Sequence, residues 1–197
     1  MKIFYNKEEA KKIFFTSDTH FNHTNIIKFC KRPFKSAEEQ DEELIRRWNE
    51  KVDEDGIVFH LGDVGFGNKE TISKILQRLN GKIYLIIGNH DWKNIINKHD
   101  DRFEDITQQA NIKIDTQKII LNHYPLLCYA GTYNREIPTW QLFGHVHTSP
   151  YGYSGLDTPR MQMLFPYQYD VGVDNNDFRP VSYEEVKKII EEQSKNN

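Results

Sequence analysis

Short apolar runs that break off at polar residues set the tightest limit on how this chain can fold. "KKIFFTS" (11–17), "GIVFHLG" (56–62) and "KIYLIIG" (82–88) read as short buried strands. Between them lie "SAEEQDEELIRRWNEKV" (36–52) and "NKETISKILQRLN" (68–80), which read as helices. The second carries Ile72, Ile75, Leu76 and Leu79 on one face, and Gly81 stops it. Ser36 and Glu39 have the spacing of a capping box.

Beyond residue 105 the pattern turns strand-rich. "NIKIDTQKIILNHYP" (111–125) alternates about a turn near Asp115, as a hairpin does. "WQLFGHVH" (140–147) and "YQYDVGVD" (167–174) read as further strands, and "DWKNIINKHD" (91–100) as a short helix. "SYEEVKKIIEEQ" (182–193) is a helix with Ser182 and Glu185 as a second capping box. Strand–helix alternation followed by strands implies layered sheets covered by helices. The segment 148–166 has no clear period, and so long a loop in a compact domain is more often functional than idle.

A chain of 197 residues is expected to form a single domain, residues 1–197. Its two cysteines, Cys30 and Cys128, form no CxxC pattern, which argues against a disulfide scaffold or cysteine-rich zinc module. The first fifteen residues are charged too soon for a signal peptide, and nothing later is apolar enough for a membrane span. A cytoplasmic, soluble protein is the expectation. The net charge is −3, and "KFCKRPFK" (28–35) reads as a solvated turn, so no long nucleic acid is expected as a partner.

Five polar islands stand out against these runs: Asp18-Thr19-His20, Gly62-Asp63, Gly88-Asn89-His90-Asp91, His123, and Gly144-His145-Val146-His147. In an extended chain Asp18 and His20 point to one side, as do His145 and His147. Such a pair alone suits either a hydrogen bond or a metal ion. The donors are carboxylate, amide and imidazole with no thiolate, a set suited to hard and borderline divalent cations. Gly62, Gly88 and Gly144 stand where a backbone must turn sharply or approach an ion closely.

In order and spacing these islands resemble the calcineurin-like metallophosphoesterase family, whose pattern is DxH, GD, GNH[D/E], H and GHxH. Each element is present without substitution between residues 18 and 147. The resemblance implies an α/β fold, a four-layer α/β/β/α sandwich with two mixed sheets flanked by helices. It also implies two divalent metal ions. Asp18, His20 and His147 would hold the first, Asn89, His123 and His145 the second, and Asp63 would bridge them. Manganese is the expected metal, with iron, zinc, nickel or cobalt compatible with the donors. The nucleophile would be a hydroxide between the metals. With two cations at about +4 against about −3 from Asp18, Asp63 and that hydroxide, the site would attract phosphate.

His90 would protonate the leaving oxygen, and Asp91 would fix its tautomer and keep it protonated. The implied activity is phosphoric-ester hydrolysis, with a lean toward diesterase action on a small or nucleotide-type substrate. The alternatives are a phosphomonoesterase on the same site, or a non-catalytic metal-binding scaffold for protein partners. Further residues have two readings each. His23 and Asn22 either pack the loop or touch substrate; Tyr124 lines the cleft or anchors Pro125; Arg32 meets a phosphate or lies in the surface turn. Asp174 either supports a ligand histidine or closes a strand-end turn. His60 reads as a structural histidine and His99 as a solvated one.

Overall fold

The computed structural model describes residues 2–96, 100–134, 136–148 and 162–195. His99 and most of the 148–166 loop lie outside the described residues.

The three apolar runs of the first half become β2 (Ile13–Thr16), β3 (Ile57–His60) and β4 (Lys82–Ile86), all parallel. Their registers align Phe15 with Phe59 and Phe59 with Tyr84. Strands β5 (Phe103–Thr107) and β10 (Val181–Ser182) complete this sheet in the order β10-β2-β3-β4-β5. The expected hairpin is β6 (Gln109–Ile114) and β7 (Gln117–Asn122), antiparallel about Asp115. With β1 (Lys2–Tyr5), β8 (Trp140–Phe143) and β9 (Gln168–Asp170) it builds a second five-stranded sheet, ordered β1-β6-β7-β8-β9. Both sheets are mixed, because each contains one antiparallel pair among parallel ones.

Side-chain alternation decides which layer each residue joins. Ile13, Phe15, Phe59 and Leu61 face inward against Ala110, Ile112, Ile114, Ile119, Leu121 and Leu142 of the other sheet. Phe14, Val58, Ile83 and Leu85 point the opposite way. There they meet α3 (Ala37–Lys51) through Leu44, Ile45 and Trp48, and α4 (Lys69–Leu76) through Ile72, Ile75 and Leu76. The short helices α1 (Lys7–Ala10), α2 (Thr24–Phe29) and α5 (Asp91–Asn94) are preceded by Asn6, His23 and His90. Helix α6 (Tyr183–Lys195) adds Val186 and Ile190 to the core between the sheets. None of the described helices is long and apolar enough to cross a membrane.

The two capping patterns end differently. Before α6, Glu185 Oε2 accepts the Ser182 N–H at 2.8 Å and Ser182 Oγ accepts the Glu185 N–H at 3.3 Å, a complete box. Before α3, Ser36 Oγ caps Glu39 N at 3.2 Å, but the Glu39 carboxylate accepts from Lys35 N instead. The "GHVH" end of the segment 140–147 is not strand, since β8 stops at Phe143. Strands β2, β3, β4, β7 and β8 all deliver their carboxyl ends to one edge of the sandwich, where ligands of open α/β sheets collect.

Candidate metal centre

Every polar island begins within a few residues of one of those strand ends. The chain there leaves the extended conformation. Asp18, His20, Asp63, His145 and His147 have φ of 57°, 49°, 56°, 70° and 49°. The expected same-side pairing of an extended strand is therefore replaced by a left-handed backbone at both members of each pair. For residues other than glycine this costs on the order of 1–3 kcal/mol apiece and persists only where surroundings enforce it. Cross-links between loops do so. Asp18 N donates to Gly62 O at 2.9 Å, His20 N to Asp63 O at 3.1 Å, and His145 N to Asp18 Oδ2 at 2.8 Å. The approach is so close that a Cβ on Gly88 would lie 2.3 Å from Asp63 Oδ1, and one on Gly144 2.3 Å from Asp18 Oδ2.

His20, His123 and His147 present Nε2 to a common interior. His123 donates Nδ1–H to Leu61 O at 2.7 Å, and His147 Nδ1 meets Asp174 Oδ2 at 2.8 Å. His20 Nδ1 lies 3.2 Å from His23 Nδ1. Inside, Asp63 Oδ2 stands 3.6 Å from His20 Nε2 and 3.7 Å from His123 Nε2, while His147 Nε2 stands 3.8 Å from Asp18 Oδ1. These gaps are too long for hydrogen bonds. They suit donors around a shared cation, each about 2.0–2.2 Å from it. Asp18 Oδ1 and His20 Nε2 are buried and have no hydrogen-bond partner among the described residues, which such an ion would supply. The donor atoms of Asp18, His20 and His147 gather in one group and those of Asp18, Asp63 and His123 in a second. Asn89 Oδ1 lies 3.0 Å from His123 Nε2, and the His145 ring sits 5.1 Å from that of His123.

The electrostatics call for positive charge. Burial, then the Asp18 carboxylate, push the Asp63 carboxyl up. Burial and the neighbouring His147 and Arg32 charges hold His20 well below the usual histidine range. His147 is the exception: burial opposes its proton, but Asp18 and Asp174 together raise it well above that range.

Several sequence expectations change role here. Arg32 is not free for a phosphate. Its side chain is wholly buried and all five N–H groups are engaged. Nε and Nη2 clamp Asp174 at 2.8 and 2.7 Å, Nη2 also donates to Asp18 O, and Nη1 donates to Thr19 O and Gln40 Oε1. Asp174 takes the supporting role, because it holds both Arg32 and His147. Asp91 does not hydrogen-bond the His90 ring as expected. Its carboxylate accepts backbone N–H groups from Gly88, Asp63 and Val64 at 2.8–2.9 Å, so it pins two ligand loops together. His90 itself is half-exposed, with Nε2 3.8 Å from Asp63 Oδ2 and its backbone N–H on Asp63 Oδ1.

Asn22 gives its amide N–H₂ to Phe66 O and its backbone N–H to Asp41, a loop-packing role. His23 packs its ring 4.1 Å from Phe66, and Tyr124, 44% exposed, sets its ring edge-on to His123 and His145. His60 is structural, bonded to Thr19 Oγ1 and Gly62 N. The sequence reading passed over Gln40, which donates to His20 O, and Phe66, whose ring lies against His20, His23 and His90. Gln40 lies four residues before the core residue Leu44, on the buried face of an otherwise charged helix turn, which was the one available signal.

The model for the calcineurin-like phosphoesterase superfamily domain matches residues 12–159. An uncharacterised protein of Methanocaldococcus jannaschii is 33% identical over 183 residues, covering 92% of each chain. The Gene 66 protein of Mycobacterium phage L5 is 26% identical over 162 residues, covering 68% of this chain and 76% of the phage protein. Among solved structures, a protein of unknown function from Aquifex aeolicus superposes with a TM-score of 0.68 at 24% identity, covering 90% of this chain and 98% of that one, and so shares the fold.

Proposed function

The chain belongs to the calcineurin-like phosphoesterase superfamily of metal-dependent phosphoester hydrolases, and from that premise we propose a two-metal phosphodiesterase acting on small or nucleotide-type esters. One observation carries the reading: two buried donor atoms without a hydrogen-bond partner among the described residues, Asp18 Oδ1 and His20 Nε2, beside an Asp63 oxygen nearly equidistant from His20 and His123. Asp18, His20 and His147 would hold one ion, Asn89, His123 and His145 the other, and Asp63 both. Manganese is the expected occupant, with iron, zinc, nickel or cobalt compatible. When bound, such a pair activates water at neutral pH and neutralises charge on phosphoryl oxygens.

The chain's own groups supply the rest. His90 stands at the half-exposed rim and is the proton donor to the leaving oxygen. Asp91 holds His90 in place through the backbone rather than through its ring, since it anchors the turn from which His90 projects. Two features favour a diester over a monoester. The exposed ring of Tyr124 offers a face to a second ester group. Arg32, which the sequence offered as a phosphate contact, is buried and already paired with Asp174. The partner this reading implies is a small phosphate ester, with the cytoplasm as the expected compartment.

The test is turnover by the manganese-loaded protein of bis-p-nitrophenyl phosphate, p-nitrophenyl phosphate and 2′,3′-cyclic nucleotides. Faster hydrolysis of the diesters is expected. Faster monoester turnover would reverse the preference, and no turnover of any of the three would remove the enzymatic reading.

A further inference from the structure

His20, His123 and His147 aim Nε2 inward, and two of them rest on acceptors of fixed character. His123 leans on a backbone carbonyl, which only accepts, and His147 on the Asp174 carboxylate. The third, His20, leans on another imidazole: His23 Nδ1, at 3.2 Å. Two facing ring nitrogens share one proton, so one must donate and the other accept. Which does so is decided on the far side of His20. Its Nε2 is buried, has no hydrogen-bond partner among the described residues and stands among the donor atoms of Asp18 and His147. For Nε2 to present a lone pair to a cation, the His20 proton must sit on Nδ1. His23 Nδ1 must then accept it, and the only proton left to His23 is on Nε2.

We propose that His23 is a positioning residue of the metal centre, held as its Nε2–H tautomer and fixing the His20 ring through the Nδ1–Nδ1 hydrogen bond. The inference rests on the metal-binding reading given above. Three features of the chain keep His23 in place. It is the residue that precedes α2, so its backbone is set by the helix start. Its ring packs 4.1 Å from that of Phe66, the same ring that lies against His20 and His90. Asn22, its neighbour, is tied down by Asp41 and Phe66. The ring is half-buried, so an outward Nε2–H could donate to an acceptor such as a phosphoryl oxygen. An outer partner that orients a metal-bound histidine typically contributes about 10–100-fold in metal affinity.

The experiment uses the full chain, uniformly ¹⁵N-labelled and loaded with Zn²⁺, a diamagnetic occupant of the same donors. Long-range ¹H–¹⁵N correlation spectra report which nitrogen of His23 carries the proton. The expected result is a proton on Nε2 and none on Nδ1. In parallel, Mn²⁺ affinity is measured by calorimetry for His23→Leu and His23→Gln. The leucine variant should bind manganese about 10–100-fold more weakly, and glutamine, whose Oε1 can accept from His20 Nδ1–H, should recover most of that loss. A proton on His23 Nδ1, or a leucine variant within twofold of the wild-type affinity, overturns the proposal. Wild-type protein that binds neither Zn²⁺ nor Mn²⁺ would instead overturn the metal-binding reading itself, so the two failures are distinguishable.

Discussion

Replacing Arg32 with methionine separates the two roles that have been given to it. If Arg32 met a phosphate, its loss would raise KM and leave stability untouched. The structure instead buries its guanidinium against Asp174 with both side chains wholly inaccessible. Five charge-assisted hydrogen bonds at about 1.5–3 kcal/mol each would rival the ~5–15 kcal/mol stability of a whole domain, so they cannot simply add. The better guide is the cost of breaking a buried ion pair from one side, about 3–5 kcal/mol, because the stranded partner keeps its desolvated charge. Here that partner is Asp174, which loses both bonds to Arg32 and, among the described residues, keeps only His147. For a chain of this size the loss corresponds to a fall in Tm of roughly 6–20 °C.

The assay is calorimetric melting in the presence of a chelator, so that weakened metal binding does not enter. Adding Asp174→Asn to Arg32→Met removes the stranded charge. The double variant should therefore melt above the level expected from adding the two single losses. A fall below about 2 °C for Arg32→Met, together with a raised KM, would refute this reasoning and return Arg32 to the substrate.

Three further outcomes are expected. His90→Asn should lower turnover about 10²–10⁴-fold with metal content unchanged by elemental analysis, and loss of metal in that variant would make His90 a ligand. Saturating Mn²⁺ should raise the Tm over chelator-treated protein, since each ion present at 100-fold its Kd contributes about 2.7 kcal/mol, and an unchanged Tm would count against the centre. Asp41, buried beside Asn22, has its carboxyl pushed up to about 6, chiefly by burial. Its unfolded value is about 3.9, so the native state binds the extra proton, and the associated stability is full below about pH 4 and lost as pH rises through about 6. Asp41→Asn should therefore gain on the wild type by up to about 3 kcal/mol between pH 4 and 7, measured by urea titration at each pH, and a flat difference would refute the shift.

What the sequence by itself determined was local in origin. Apolar runs of strand length, the helical face of Ile72, Ile75 and Leu76, and the alternation of residues 111–122 follow from a backbone period of 2 or 3.6, which neighbouring residues suffice to reveal. The residues proposed for the metal site stood out for a related reason, since each lies in a short motif beside a strand end. Tertiary structure decided how those motifs are held. Arg32 and Asp174 are 142 residues apart, and no local period links a guanidinium to a carboxylate at that distance. The left-handed backbone at Asp18, His20, His145 and His147 was equally hidden, because loops 127 residues apart impose it through bonds such as His145 N to Asp18 Oδ2. Asp91 followed the same rule. Its neighbour in sequence is His90, but three inward-pointing backbone N–H groups at the ends of β3 and β4 offered its buried carboxylate more than one imidazole could.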